Sequence, residues 1–185
     1  MKSWLIIVAV LLPGMACEKS AHSSIERNDR AEPKAEAGKC PDGADSVGDP
    51  PPKGTLLECW KSDSSGERMR HGLSTKWYPH GQKARESAYK DGEKHGKETY
   101  WFGATGQKSA VQEYKDGSYH GKWMRWHANG QKAFEGEYED GLEVGKWTFW
   151  HANGQKRSEG EYRDGEKRGK WACWDTAGGS IKCSD

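Results

Sequence analysis

A period of about 24 residues runs through the chain from residue 71 onward and constrains the fold more than any other feature. Five glycines mark it, and the intervals between them are 24, 25, 24 and 24 residues: Gly72, Gly96, Gly121, Gly145 and Gly169. Each glycine is followed five residues later by a tryptophan: Trp77, Trp101, Trp126, Trp150 and Trp174. A fixed period of this length predicts a stack of similar units, each of which buries its apolar surface against its neighbours.

Each unit reads as a β-hairpin. In the clearest copy, the aromatic-rich segment 146–150 has strand character, and Asn153-Gly154 supplies the two positive-φ residues that a tight hairpin turn requires. A second strand over 155–162 leads to another turn at Asp164-Gly165. Neither segment is long enough for a helix between such turns. The sequence therefore predicts an all-β fold: an extended, single-layer antiparallel meander of β-hairpin repeats. Because side chains alternate across a strand, Trp147 and Trp150 should lie on opposite faces, unless Trp150 lies at the corner where the turn begins.

The repeat resembles the bacterial variant of the MORN repeat. The matching residues in the best copy are Trp147, Trp150, Asn153-Gly154, Gly160-Glu161-Tyr162 and Asp164-Gly165, and the resemblance extends over residues 71–179. Three copies depart from the pattern by replacing the asparagine, with His80, Thr105 and Ala177. The resemblance implies a gently twisted sheet that binds proteins or lipids and, in YwqK-like relatives, a supposed antitoxin role.

Residues 1–16 have the features of a signal peptide. Lys2 supplies a positive charge, residues 4–12 form an apolar run, and residues 13–16 are a cleavage region of mostly small residues. The apolar run has nine residues, which is less than half of the roughly 20 that a spanning helix needs. We therefore expect an exported protein without a transmembrane anchor.

Cys17 follows the cleavage region at the position where the bacterial lipoprotein signal places its acylated cysteine. The resemblance is partial, because Gly14 stands where that signal prefers leucine. We expect lipidation of Cys17 and a location on the outer membrane or elsewhere in the cell envelope; the alternative is ordinary cleavage that leaves a free thiol. Residues 17–39 contain one large aliphatic residue, Ile25, so we expect a disordered tether there, with a short charged helix as the alternative.

Four further cysteines form an even set in a chain predicted to be exported. Of the three possible connectivities, we expect the local one, which pairs Cys40 with Cys59 and Cys173 with Cys183. The first pair would tie together a small N-terminal cap over residues 40–70, and the second would staple the last hairpin of a repeat array over residues 71–185.

Candidate chemistry is sparse. The 29 basic and 28 acidic residues are interleaved, which argues against a nucleic-acid partner. Histidines recur in two rows, at His71, His95 and His120 and at His127 and His151. A repeat reproduces a residue type without needing its chemistry, and the first row is interrupted by Val144 and Arg168, so we expect no metal site. The sequence has none of the common catalytic or phosphate-binding motifs, and we expect neither a cofactor nor enzymatic activity.

The regular repeat without a catalytic cluster predicts an interaction module that binds a protein or another envelope component through its sheet. One alternative is a glycan-binding module, in which a row of tryptophans stacks on sugar rings: Trp126, Trp150 and Trp174. The other alternative, implied by the resemblance alone, is an antitoxin or immunity protein that neutralises a toxin.

Overall fold

The computed structural model describes residues 39–183, and the predicted signal peptide, Cys17 and nearly all of the predicted tether lie outside this range. Within it, twelve β-strands form one sheet in which every strand pairs antiparallel with the next along the chain. The strands are β1 (Asp45–Asp49), β2 (Leu56–Ser62), β3 (Arg68–Trp77), β4 (Lys83–Lys90), β5 (Glu93–Trp101), β6 (Lys108–Lys115), β7 (Ser118–Trp126), β8 (Lys132–Glu139), β9 (Leu142–Trp150), β10 (Lys156–Arg163), β11 (Glu166–Trp174) and β12 (Ser180–Ile181). This architecture confirms the predicted single-layer meander. No helix in the described range is long and apolar enough to cross a membrane.

Two kinds of turn alternate along the sheet. The short turns consist of an aspartate and a glycine that both adopt positive φ, as in Asp91 (51°) and Gly92 (90°), which is what a two-residue type I′ hairpin requires. The long turns span residues such as 127–131, and in them only the glycine has positive φ. The expectation that Asn-Gly forms a tight turn with two positive-φ residues is therefore wrong. The asparagine contributes hydrogen bonds instead.

Those hydrogen bonds connect successive long turns. The Nδ2 of Asn129 donates to the backbone carbonyl of Ala152 in the next long turn at 2.5 Å. The Nδ2 of Asn153 likewise donates to the backbone carbonyl of Thr176 at 2.7 Å. The extra residue of the second copy lies in a long turn. There the N–H of Phe102 donates to the carbonyl of Gln107, so this turn is one residue longer than 127–131, which the N–H of His127 closes with the carbonyl of Gln131. The insertion is accommodated outside the strands, so it does not disturb their register.

Each repeat glycine lies at a β-bulge. Between β4 and β5, for example, Ser87 is opposite Glu98 but Tyr89 is opposite Lys94, so four residues of β5 span two residues of β4. Gly96 lies inside this bulge with a φ of 94°. The glycine is needed because an L side chain is strained in that backbone conformation.

The predicted N-terminal cap is continuous with the repeats. Residues 40–70 supply β1, β2 and the start of β3, and β2 pairs with β3 in the same pattern that the later repeats use. A disulfide joins Cys40 to Cys59 on β2, with 5.5 Å between the two Cα atoms. A second disulfide joins Cys173 to Cys183, next to the two residue pairs through which β12 contacts β11. Both predicted pairings are therefore present in the structure.

Candidate functional site

The two faces of the sheet differ in composition. One face, called here the tyrosine face, carries the repeat tyrosines Tyr89, Tyr114, Tyr138 and Tyr162. The opposite face, called here the lysine face, carries lysines that pair with a glutamate three residues later. These pairs are Lys83 with Glu86 at 2.6 Å, Lys132 with Glu135 at 2.9 Å and Lys156 with Glu159 at 2.6 Å. The lysine face is thus largely charge-compensated.

The tryptophans predicted as candidate binding residues lie on the lysine face, next to the long turns. Trp126 is buried, with 7% of its surface exposed, and Trp150 and Trp174 are half-buried. The Nζ of Lys132 lies 5.9 Å from the ring centre of Trp150, and the Nζ of Lys156 lies 5.9 Å from that of Trp174. These rings form cation–π contacts within the sheet. Whether they also bind sugar stays a prediction.

A row of ten residues, one from each strand from β2 to β11, runs along the middle of the tyrosine face, and its composition differs between the N-terminal and C-terminal halves of that face. We call it the central row: Glu58, Ser74, Ser87, Glu98, Gln112, Trp123, Gly136, Trp147, Gly160 and Trp171. Its first five members are polar and buried, whereas its last five alternate tryptophan with glycine. The sequence analysis missed this row. Aligning the residue two positions after each repeat glycine reveals the change from serine and glutamate to tryptophan.

The C-terminal half of the tyrosine face is a continuous layer of aromatic rings. The ring of Trp147 lies 5.3 Å from Tyr138, 6.1 Å from Trp123 and 5.7 Å from Tyr162. Tyr162 in turn lies 5.2 Å from Trp171. Most of these pairs meet edge to face, an arrangement that the ring quadrupole favours. Trp147 is almost completely buried, with 4% of its surface exposed, although the sheet is only one layer thick.

Glycines in the preceding strand make room for these rings. A Cβ atom placed on Gly136 would lie 2.1 Å from Cδ2 of Trp147, and one placed on Gly160 would lie 2.3 Å from Cδ2 of Trp171. Neither glycine has positive φ. Their role is therefore steric: the indole lies flat on the neighbouring backbone.

The N-terminal half of the tyrosine face is centred on the carboxylate of Glu98, of which 1% is exposed. This carboxylate accepts hydrogen bonds from Ser87 Oγ at 2.6 Å, Gln112 Nε2 at 2.6 Å and Lys94 Nζ at 2.9 Å. Burial raises the pKa of Glu98, but the hydrogen bonds from Ser87, Lys94 and Gln112 outweigh it, and the net pKa lies below the ordinary value. Glu98 is therefore a buried, hydrogen-bonded anion.

Three segments of the chain, residues 70–91, 119–140 and 143–164, match the family model described as the MORN repeat variant. The match supports MORN-type repeats in three of the five copies. The matched segments are the first, third and fourth of the five predicted copies. The two copies outside the match include the one with the longer turn and the last one. MORN repeats indicate a repeat-based binding module, which agrees with a sheet that carries two chemically different faces.

Comparisons with other proteins add little to this assignment. No functionally curated protein matches the sequence. Solved structures that match include TarM from S. aureus, as a mutant in complex with fondaparinux, alpha-GlcNAc-glycerol and UDP (7% identity, TM-score 0.29, 68% of this chain and 21% of TarM), and a glycosylation-associated protein complex, Gap123, from Streptococcus agalactiae (13% identity, TM-score 0.22, 69% and 18%). The chain thus spans about a fifth of the length of these structures.

The histidines of the MORN repeats have structural contacts. In the first row, Nδ1 of each histidine lies near an aspartate of a short turn: His71 with Asp91 at 3.2 Å, His95 with Asp116 at 3.1 Å and His120 with Asp140 at 3.4 Å. In the second row, Nε2 of His127 donates to the carbonyl of Trp150, and His151 does the same to Trp174. Between residues 39 and 183, no group of three potential ligands is arranged to hold a metal ion.

Proposed function

We propose that this protein is a non-enzymatic, exported binding module that is anchored in the cell envelope by a lipid on Cys17 and holds a protein partner on the C-terminal half of its tyrosine face. The observation that supports the binding surface is the layer of aromatic rings on one face of a single-layer sheet. Among residues 39–183, no second layer of secondary structure covers this face.

The rings that surround Trp147 are available to a partner. Trp123, Phe134, Phe149, Tyr162 and Trp171 are half-buried, so each retains accessible ring surface. Large contiguous aromatic patches on soluble proteins mark interaction sites, and aromatic residues dominate the binding energy of protein interfaces. On the lysine face, lysines and glutamates form ion pairs with each other, so fewer of its charges are left for a partner. The face composition therefore favours a protein partner on the tyrosine face.

Site-specific photo-crosslinking in the native host tests this assignment. A benzoylphenylalanine at Phe149 reports on the tyrosine face, and one at the half-buried Met124 reports on the lysine face as a matched control. We expect a protein adduct from position 149 and none from position 124. Adducts from position 124 alone, or equal adducts from both positions, would contradict the proposal. If the adduct is a toxin, the antitoxin role implied by the family resemblance is the specific form of this function.

The membrane anchor is tested by the intact mass of the protein from its native membrane fraction. We expect a chain that begins at Cys17 and is heavier than the polypeptide by several acyl groups. Reduction should add four hydrogen atoms, two for each disulfide. An unlipidated chain from Cys17 would indicate a soluble exported protein instead. A chain that begins at Met1 with reduced cysteines would place the protein in the cytoplasm and refute the proposed location.

A further inference from the structure

A cleft lies at the C-terminal end of the tyrosine face, between β9 and the disulfide-bonded segment that follows β11. Its aromatic walls are Phe149, Tyr162 and Trp171, and the disulfide between Cys173 and Cys183 lines one end. The cleft has a volume of about 650 Å³, within the range of sites that bury one small ligand or a few side chains.

The cleft carries uncompensated positive charge. Arg157, Lys167 and Lys182 line it, and none of them has a carboxylate partner between residues 39 and 183. The guanidinium of Arg157 lies 5.4 Å from the ring centre of Phe149, and the Nζ of Lys167 lies 5.1 Å from that of Trp171. The cations therefore extend over the aromatic walls. An occupant that contacts the rings also meets both charges.

Among residues 39–183, one carboxylate lines the cleft, and it is hydrogen-bonded within its own turn. Oδ1 of Asp175 accepts hydrogen bonds from the backbone N–H groups of Ala177 at 2.9 Å and Gly179 at 2.8 Å, which close the last long turn. Within the described range it forms no ion pair with Arg157, Lys167 or Lys182, so three cations line the cleft against one carboxylate. The charge of the cleft is thus complementary to an acidic occupant.

Next to the cleft, β11 offers backbone hydrogen-bonding groups. On the side away from β10, the described residues pair with β11 only at Cys173 and Trp174, through β12. The preceding part of the strand, residues 166–172, has no strand on this side within the described range. An extended peptide can add to such an edge through main-chain hydrogen bonds, whereas a sugar chain cannot reproduce that ladder.

We propose that the cleft and the adjacent edge of β11 bind an extended acidic peptide segment of a partner protein. Alternate side chains of such a peptide point to the same face of the sheet, so a carboxylate beside Arg157 or Lys167 is followed two residues later by an apolar side chain that packs against Phe149 or Trp171. This inference rests on the proposed function and narrows it to one end of the tyrosine face and one chemical class of partner.

The test uses the full mature chain and three probes. These are a synthetic peptide in which glutamate, serine, phenylalanine and serine repeat in that order, so that glutamate and phenylalanine lie on the same face, the same peptide with glutamine in place of glutamate, and an oligogalacturonate as an anionic sugar. We expect the glutamate peptide to bind at least about tenfold more tightly than the glutamine peptide, because only the glutamate peptide carries charges opposite to those of the cleft. This factor corresponds to about 1.4 kcal/mol in binding free energy. Hydrogen exchange of the β11 amides should slow when that peptide binds.

Variants separate the cleft from general charge attraction. Arg157→Gln together with Lys167→Gln should weaken binding of the glutamate peptide about tenfold. The matched control is Lys115→Gln together with Lys122→Gln, which removes the same charge from exposed lysines of β6 and β7, away from the cleft and the edge of β11, and should leave binding unchanged. Equal losses in both double variants, equal affinity for the two peptides, or preferential binding of the oligogalacturonate would each overturn the inference. If the peptide fails to bind but Phe149 still crosslinks to a protein partner, the inference falls and the proposed function stands.

Discussion

Gly136→Ala should lower the free energy of unfolding by about 2 to 3 kcal/mol, although it adds only one methyl group. The added carbon would lie 2.1 Å from Cδ2 and 2.2 Å from Cε2 of Trp147, which are atoms of the ring fusion and not a flexible end. The ring has little room to move, because Tyr138 and Tyr162 contact it from two sides. Urea unfolding followed by tryptophan fluorescence measures the loss.

A double-mutant cycle with Trp147→Ala identifies the cause of this loss. Trp147→Ala alone should cost about 3 to 5 kcal/mol, as expected for a buried tryptophan. In that background, Gly136→Ala should cost nothing or stabilise by about 0.5 kcal/mol, because alanine is more favourable than glycine in a strand when no ring lies above it. Additive losses would show that Gly136 is required for its backbone conformation and not as a support for the indole.

Glu98→Ala is the second substitution for which we expect a large effect, a loss of about 3 kcal/mol in the free energy of unfolding. It leaves Ser87, Gln112 and Lys94 without their common acceptor in a buried position. The matched control is Glu113→Ala, which removes a half-buried glutamate from the neighbouring strand and should cost less than about 1 kcal/mol. Similar losses in the two variants would contradict a special role for Glu98.

The same carboxylate should make stability depend on pH. Because its pKa in the folded protein is lower than the ordinary value of 4.5, its contribution is present above that value and is lost as the pH falls through the folded pKa. Glu98→Gln removes this titration, so the difference in stability between the wild type and this variant should shrink as the pH is lowered from 7 to about 3. A difference that stays constant with pH would show that the carboxylate does not titrate in this way.

The sequence predicted the hairpins, the short turns and the pairing of the cysteines, because each depends on residues close together in the repeat. It could not predict the hydrogen bonds within the polar half of the central row. Lys94 lies four residues before Glu98, a distance of about 13 Å in a regular strand, yet the bulge at Gly96 brings its Nζ to 2.9 Å from the carboxylate. The bulge is visible only once the register is known.

The predicted binding row shows a second limit of the sequence. Trp126, Trp150 and Trp174 occupy a position that is tryptophan in every copy, and they were chosen for that regularity; their binding role stays a prediction. The residues that distinguish one half of the tyrosine face from the other, such as Glu98 and Trp123, vary between copies. A search for residues that are identical in every copy does not find positions at which the copies differ, and those positions distinguish the two halves of the face.

The meander has consequences for how such a protein can change over evolutionary time. Within residues 39–183, each strand pairs only with its neighbours along the chain, and β12 does not pair with β1. Gain or loss of one hairpin unit therefore alters the copy number without forcing the remaining strands into a new register. The polar and aromatic halves of the tyrosine face are built from different copies, so duplication can lengthen one while the other keeps its sequence. The size of the binding surface can thus be adjusted in steps of two strands.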